Sequence, residues 1–159
     1  MNPDDLNILM KVIVAVSLGG LIGIEREIAR KPAGIRTHMF VAGAATTVMS
    51  ISGVLINEFA LAHGSVQSDP VRVIEAVIVG ISFIGAGTVL KSEKSHNVYY
   101  LTTAASILFA ATIGITVGLD RIFLAFALTL LVILINAAVG NIEQKVLGKD
   151  RHEVDNVKE

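Results

Sequence analysis

The chain contains no cysteine, no tryptophan and little charge. The low cysteine and charge contents argue against a His/Cys metal site, an ordinary soluble domain and a nucleic-acid-binding protein. Without cysteine among its 159 residues, no mixed His/Cys metal site can form, and cysteine usage leaves the redox compartment open. Charged residues make up 17% of the chain, below the roughly 25% of ordinary soluble domains. The formal net charge is −1, so bulk attraction to nucleic acid is not indicated.

The chain is instead rich in long apolar segments. Apolar residues make up 53% of it and the mean hydropathy is +0.68, in the range of membrane proteins. A bilayer core of about 30 Å needs roughly 20 helical residues. The third segment reaches that length only with Glu75 included, and the first only with Lys11. We therefore predict an all-α, polytopic membrane protein in which a domain of residues 1–142 is followed by a polar tail of residues 143–159. Its five transmembrane helices are predicted at about residues 6–24, 37–61, 71–90, 101–119 and 121–142.

The distribution of basic residues predicts the orientation of these spans. With the N-terminus outside, ten of the 13 Lys and Arg residues fall on the inner side. The acidic start, Met1–Asp5, is unlike a secretory signal, so the first span is expected to be retained. The predicted protein has its N-terminus outside and its C-terminus in the cytoplasm. The inner residues are Arg26, Arg30, Lys31, Arg36, Lys91, Lys94, Lys145, Lys149, Arg151 and Lys158.

A dense polar stretch, residues 23–38, separates the first two apolar segments. Its ends bring Glu25 close to Arg26 and Arg36, and an ion pair between Glu25 and either arginine would lower the cost of charge at the membrane boundary. Thr37 is the expected N-cap of the second span. The stretch serves either as a topological anchor or as a cytoplasmic site for a cation or partner. The candidate inner-face residues are Glu25, Arg26, Arg36, Thr37, His38, Thr102 and Thr103.

Carboxylates gather on the predicted outer side. Asp69 precedes Pro70, a pairing typical of a helix start, and Glu75 follows within two turns. Glu58 ends the second span on the same side. Glu58, Asp69 and Glu75 are candidates for an outer cation cluster, because Mg²⁺ binds through one or two carboxylates and retains water. The alternative is that they are caps and surface carboxylates.

The chain contains a candidate internal repeat. A shift of 65 residues aligns residues 4–53 with residues 69–118 and gives ten identities in 50 positions. It would pair the first two spans with the third and fourth as a parallel two-helix repeat, with chance similarity of apolar segments as the alternative. Glycines interrupt the first and third spans, either for close helix packing or for a substrate path. These glycines are Gly19, Gly20, Gly23, Gly80, Gly85 and Gly87.

The remaining polar residues give no sign of catalysis. Asn136, within the fifth span, is expected to form a hydrogen bond between helices. No nucleophile–base pair, phosphate loop or metal motif occurs, so an enzyme is not expected. No cofactor is expected either, although Mg²⁺ is a possible ligand or substrate.

Five motifs occur in order along the chain: Gly19–Glu27, Pro32–His38, Asp69–Arg72, Gly80–Gly87 and Leu101–Ala105. Together they resemble the MgtC/SapB family of bacterial inner-membrane proteins. The resemblance covers about residues 6–142 and implies a five-span membrane module without the soluble C-terminal domain of longer members. It implies a link to magnesium, and for some members regulation of other membrane proteins, including the ATP synthase, under low-magnesium or acid stress. The family pattern falls on Glu25, Arg26, Gly34, Arg36, Thr37, Asp69, Pro70, Arg72, Gly80, Gly85, Gly87, Thr102 and Thr103.

Two functional hypotheses follow. In the first, the protein supports Mg²⁺ homeostasis by transport: Asp69 and Glu75 collect cations outside, the glycine-rich spans line the path, and Glu25 with Arg36 gates the inner end. In the second, it is a regulator that binds another integral membrane protein and carries no flux. In either case the expected partners are the lipid bilayer and either a second copy of the chain or another membrane protein, with no nucleic acid.

Overall fold

The computed structural model describes residues 3–63, 69–90 and 100–146, which contain helices and connecting turns and no strand. All five helices are long and apolar enough to cross a membrane. The predicted all-α fold with five spans is therefore confirmed. The helices are α1 (Pro3–Ile28), α2 (Ile35–His63), α3 (Pro70–Leu90), α4 (Leu101–Gly118) and α5 (Ile122–Val146).

Three helices are several residues longer than the hydropathy pattern predicts, and one of them, α2, spans Ile35–His63 against the predicted 37–61. Helix α1 continues past residue 24 to Ile28, because the polar residues Glu25, Arg26 and Glu27 are good helix formers and no helix breaker occurs before Ile28. The connection to α2 is therefore residues 29–34, shorter than the predicted loop. Helix α5 extends to Val146, past the predicted boundary at residue 142, and the rest of the tail lies outside the described residues.

Helix α1 ends through backbone hydrogen bonding rather than at a glycine. The amide of Lys31 donates to the carbonyl of Arg26, and that of Arg30 donates to the carbonyl of Glu27, both at 3.0 Å. Arg30 has a φ of 52°, the left-handed conformation that such an ending requires. This turn directs the chain back towards α2.

The helix starts are capped differently from one another. At α2 the carboxylate of Glu27 accepts a hydrogen bond from the amide of Ile35 at 2.9 Å. Thr37 lies inside the first turn, so its predicted role as N-cap is wrong: the helix begins two residues earlier, and α1 supplies the cap. At α3 the expected cap is present, because Asp69 Oδ1 accepts from the amide of Val71 at 3.0 Å. Tyr100 is the N-cap residue of α4, with no side-chain cap.

Helix α4 is at the centre of the bundle. Of its 18-residue membrane segment 61% is buried, against 11% for α3 and 17% for α5. Helices α1, α2 and α4 pack against one another, α3 packs on α2 and α4, and α5 packs on α1 and α4. The two peripheral helices therefore present most of their surface outward, as expected for contact with lipid. The most exposed aromatic side chains are Phe123, Phe83 and Phe40.

The core is built from small and β-branched residues at the contacts of α1, α2 and α4. A Cβ atom placed on Gly19 would lie 2.5 Å from the carbonyl oxygen of His38 and 2.9 Å from Ala42 Cβ. One placed on Gly114 would collide with the carbonyl of Ala42. Such contacts let the helix backbones approach closely where lipid supplies no hydrophobic drive. Fully buried residues of this core include Ala15, Ile22, Ala42, Ile113 and Val117.

The two helix pairs share one contact at positions that the candidate repeat aligns. A Cβ atom on Gly20 would lie 3.4 Å from Met39 Cγ, and one on Gly85 would lie 3.4 Å from Ala104 Cβ. Gly20 and Gly85 are 65 residues apart, as are Met39 and Ala104. Equivalent glycines thus face equivalent residues in α1–α2 and α3–α4, which is the arrangement expected of a duplicated two-helix unit.

Candidate functional site

A group of polar side chains is buried at the end of the bundle where α1 ends and α2 and α4 begin. We call this the basic end, because Arg26, Arg30, Lys31 and Arg36 lie there. Polar groups buried in a membrane bundle are costly unless they are hydrogen-bonded, and ionisable ones there are functional candidates. The buried polar residues of the basic end are Arg26, His38, Thr103 and Ser106.

His38 is fully buried between α2 and α4 and uses both ring nitrogens. Nδ1 lies 2.8 Å from the carbonyl oxygen of Gly34, and Nε2 lies 3.1 Å from Ser106 Oγ. Ser106 Oγ in turn lies 2.8 Å from the carbonyl oxygen of Thr103. The imidazole therefore links the first turn of α2 to the first turns of α4.

The hydrogen bonds that run from Gly34 through His38 and Ser106 to Thr103 are compatible with two protonation states of the imidazole. Because a carbonyl oxygen only accepts, Nδ1 of His38 must carry a hydrogen. With a neutral ring, the Ser106 hydroxyl donates to Nε2 and cannot also donate to Thr103. With a protonated ring, Nε2 donates to Ser106, which is then free to donate to Thr103. The geometry can therefore accommodate either protonation state of the ring.

Arg26 points from the last turns of α1 into the start of α4. It is 4% exposed, and its Nη2 lies 3.4 Å from the hydroxyl oxygens of both Thr102 and Thr103. Its Nε is buried and has no hydrogen-bond partner. Thr103 is fully buried, whereas Thr102 is exposed, so the arginine lies just beneath the surface of the basic end.

Glu25 is directed to a different helix. Its Oε2 accepts a hydrogen bond of 2.7 Å from Asn136 Nδ2 on α5, an interhelical bond of the kind expected for that asparagine. Among the described residues, no ion pair joins Glu25 to Arg26 or Arg36, so the predicted pairing is wrong. Consecutive helix residues point about 100° apart. Glu25 therefore faces α5 while Arg26 faces α4, and Arg36 is exposed.

Two residues that contribute to the basic end, Ser106 and Glu27, were not among the candidates predicted from the sequence. Ser106 follows Thr102 by four residues and Thr103 by three, so helical spacing from this threonine pair could have pointed to it. Glu27 caps α2 from α1, a contact across the turn that no local pattern indicates. Of the other candidates here, Thr37 is half-buried and Arg36 is exposed.

The outer carboxylates are not assembled into a metal site. Glu58, Asp69 and Glu75 are all exposed, and Asp69 is used as the cap of α3. Within residues 3–63, 69–90 and 100–146, no three His, Asp or Glu side chains lie close enough to hold a metal ion. The structure thus does not bring these three residues together as a ligand set.

The six candidate glycines fall into three pairs. Gly19 and Gly23 lie directly against α2, where a Cβ on Gly23 would be 2.5 Å from Ile35 Cα. Gly20 and Gly85 make ordinary or slightly tight contacts, described above. Gly80 and Gly87 face open space, since a Cβ atom on either would meet nothing within 4 Å. The first pair packs α1 on α2, whereas Gly80 and Gly87 lie on the uncovered face of α3.

Five membrane-length helices with buried polar groups between them define a multi-pass helical membrane protein. The sequence model of the MgtC family matches residues 12–145. The chain belongs to the MgtC family.

Several curated relatives support this assignment. An uncharacterised protein of Haemophilus influenzae is 37% identical over 132 residues, covering 83% of this chain and 55% of that protein. YhiD of Escherichia coli K12, named a putative magnesium transporter, is 30% identical over 91% of this chain and 66% of its own length. MgtC of Brucella abortus is 35% identical over 82% of this chain and 50% of its own. The chain thus spans about half to two thirds of these relatives. No solved structure matches it closely enough to count as similar.

Proposed function

We propose that this chain is a bacterial plasma-membrane protein that supports Mg²⁺ homeostasis. The observation that carries the proposal is the family match over residues 12–145, combined with a relative that is named for magnesium transport. The excess of Lys and Arg at the basic end supports an orientation with that end in the cytoplasm and the N-terminus outside.

Within this function, Mg²⁺ transport is the first hypothesis, and Glu25 is its focus. The carboxylate of Glu25 is half-buried and hydrogen-bonded between two spans, the position in which an ionisable group is a functional candidate by default. Mg²⁺ binds through one or two carboxylates and keeps several waters, so a single such group can be enough. Because Arg36 is exposed and Glu25 is hydrogen-bonded to Asn136, the proposed gate consists of Glu25 and Asn136.

Magnesium flux into liposomes that contain the purified protein tests the transport hypothesis. Glu25→Gln removes the charge of the candidate carboxylate. Glu27→Gln is the matched control, because it removes the same charge two residues away and its amide oxygen can still cap α2. We expect saturable flux that is lost in Glu25→Gln and kept in Glu27→Gln. Absence of flux from folded, inserted protein would refute transport, and equal flux in both variants would refute the role of Glu25.

The second candidate function is that of a regulator which binds another integral membrane protein through α3. This helix has the least buried membrane segment, and Gly80 and Gly87 lie open on it. Small residues on an uncovered face permit close approach of another helix in lipid.

Crosslinking tests this alternative with little background, because the chain has no cysteine of its own. A single cysteine at Gly80 is compared with one at Leu134, an exposed position on α5. The regulator hypothesis predicts a discrete adduct in native membranes at Gly80→Cys and none at Leu134→Cys. An adduct of twice the chain mass would identify a second copy as the partner. Equal, diffuse crosslinking at both positions would contradict the hypothesis.

A further inference from the structure

The guanidinium of Arg26 is a buried positive charge for which the described part of the protein supplies no counter-charge. The side chain is 4% exposed, and no Asp or Glu among the described residues lies within ion-pair distance of it. The adjacent Glu25 is engaged by Asn136 on α5. A buried arginine without an anion is unfavourable, because its desolvation is not offset by attraction.

The hydrogen bonds of Arg26 leave part of its donor capacity unused. Nη2 donates to the hydroxyl oxygens of Thr102 and Thr103 at 3.4 Å, which is long for hydrogen bonds from a charged donor. Nε is buried and has no partner at all. Buried donors are nearly always satisfied, so an unpartnered guanidinium nitrogen indicates a missing acceptor.

Among the residues that the structure describes, no side chain caps the start of α4. Its N-cap, Tyr100, makes no side-chain cap bond, and the first backbone bond within the turn is from Ala104 to Tyr100. A helix N-terminus carries a partial positive charge, so a guanidinium placed against it is repelled unless an anion lies between them. Helix α2, whose start is adjacent, has such an anion in the carboxylate of Glu27.

We propose that the start of α4 and Arg26 form a binding site for a phosphate-type oxoanion. Arginine binds phosphate through paired N–H groups, and a helix N-terminus adds backbone donors and a favourable dipole. The exposed hydroxyl of Thr102 lies at the surface of the basic end, where such an anion can reach the buried guanidinium. The phosphodiester of an anionic lipid and free inorganic phosphate share this chemistry. The site is independent of the proposed role in Mg²⁺ homeostasis.

Binding measurements on the purified full chain in detergent test the site with two probes. Inorganic phosphate is titrated by calorimetry, and phosphatidylglycerol is compared with phosphatidylcholine by native mass spectrometry. Arg26→Gln removes the buried charge, and Arg36→Gln removes an exposed charge at the same end and serves as the matched control. We expect at least tenfold weaker binding in Arg26→Gln and unchanged binding in Arg36→Gln.

The possible results show both whether the site exists and whether its ligand is a lipid or a soluble anion. Saturable binding of phosphatidylglycerol alone supports the site with a lipid ligand, and binding of inorganic phosphate alone supports it with a soluble one. Binding of neither probe, or equal weakening by Arg26→Gln and Arg36→Gln, overturns it. If Arg26→Gln does not fold, Thr102→Val takes its place, since it keeps the arginine and removes the exposed hydroxyl. If Thr102→Val binds the probe several-fold more weakly than the unsubstituted protein, the site is supported, and if its binding is unchanged, the site is overturned.

Discussion

Two glycine-to-alanine substitutions in the same protein should differ in their effect on its stability. In Gly19→Ala, the new methyl group would lie 2.5 Å from the carbonyl oxygen of His38 and 2.9 Å from Ala42 Cβ. One of these atoms belongs to the backbone of α2, so relief requires the two helices to move apart. In Gly80→Ala, the methyl group meets nothing within 4 Å.

The size of the expected difference follows from two effects. Alanine is favoured over glycine in a helix interior by about 1 kcal/mol, and both variants gain this. Overpacking a closely packed interface costs about 1–3 kcal/mol, and only Gly19→Ala suffers it. The two variants should therefore differ by about 1–3 kcal/mol in unfolding free energy, or roughly 5- to 150-fold in the folding equilibrium constant.

Unfolding in mixed micelles, followed by circular dichroism as denaturing detergent is added, measures this difference. The account predicts that Gly80→Ala is at least as stable as the unsubstituted protein and that Gly19→Ala is less stable than Gly80→Ala. Equal stability of the two variants, or a more stable Gly19→Ala, would refute the close approach of α1 and α2.

Three further substitutions are tested by the same unfolding measurement. Ser106→Ala leaves His38 Nε2 buried without a partner and should cost about 1–3 kcal/mol; an unchanged stability would show that the hydrogen bond contributes nothing. Asn136→Leu removes the donor to Glu25 and should cost about 1.5–3 kcal/mol, because that acceptor is a carboxylate; a stabilised variant would contradict this contact. Glu27→Ala removes the cap of α2 and should cost about 0.5–2 kcal/mol, whereas Glu27→Gln should cost much less; equal losses would argue against capping.

The membrane architecture could be predicted from the sequence because it depends on the composition and length of the apolar segments. Charge-free apolar runs locate the spans, and the pair Asp69–Pro70 marks the start of α3 correctly. Helix ends that lie inside polar segments were harder to predict. Residues 25–27 are good helix formers and give no stop signal, so the end of α1 is set by the backbone turn at Arg30.

The partners of the candidate residues could be predicted only in part. Proximity along the chain suggested a pair of Glu25 with Arg26 or Arg36, but helix geometry directs neighbouring residues to different helices. The contact of Glu25 with Asn136 joins residues 111 positions apart, and that of His38 with Ser106 joins residues 68 apart. Such contacts depend on which helices pack together, which hydropathy does not specify.

Growth in limiting magnesium tests most directly the claim that Glu25, at the basic end, serves Mg²⁺ homeostasis. A bacterial host that lacks its own protein of the MgtC family is supplied with the unsubstituted chain, Glu25→Gln or Glu27→Gln, at matched abundance in the membrane. The account predicts that Glu25→Gln needs more Mg²⁺ for growth, while Glu27→Gln grows like the unsubstituted protein. Growth of Glu25→Gln that equals that of the unsubstituted protein, or no rescue by any form, would contradict it.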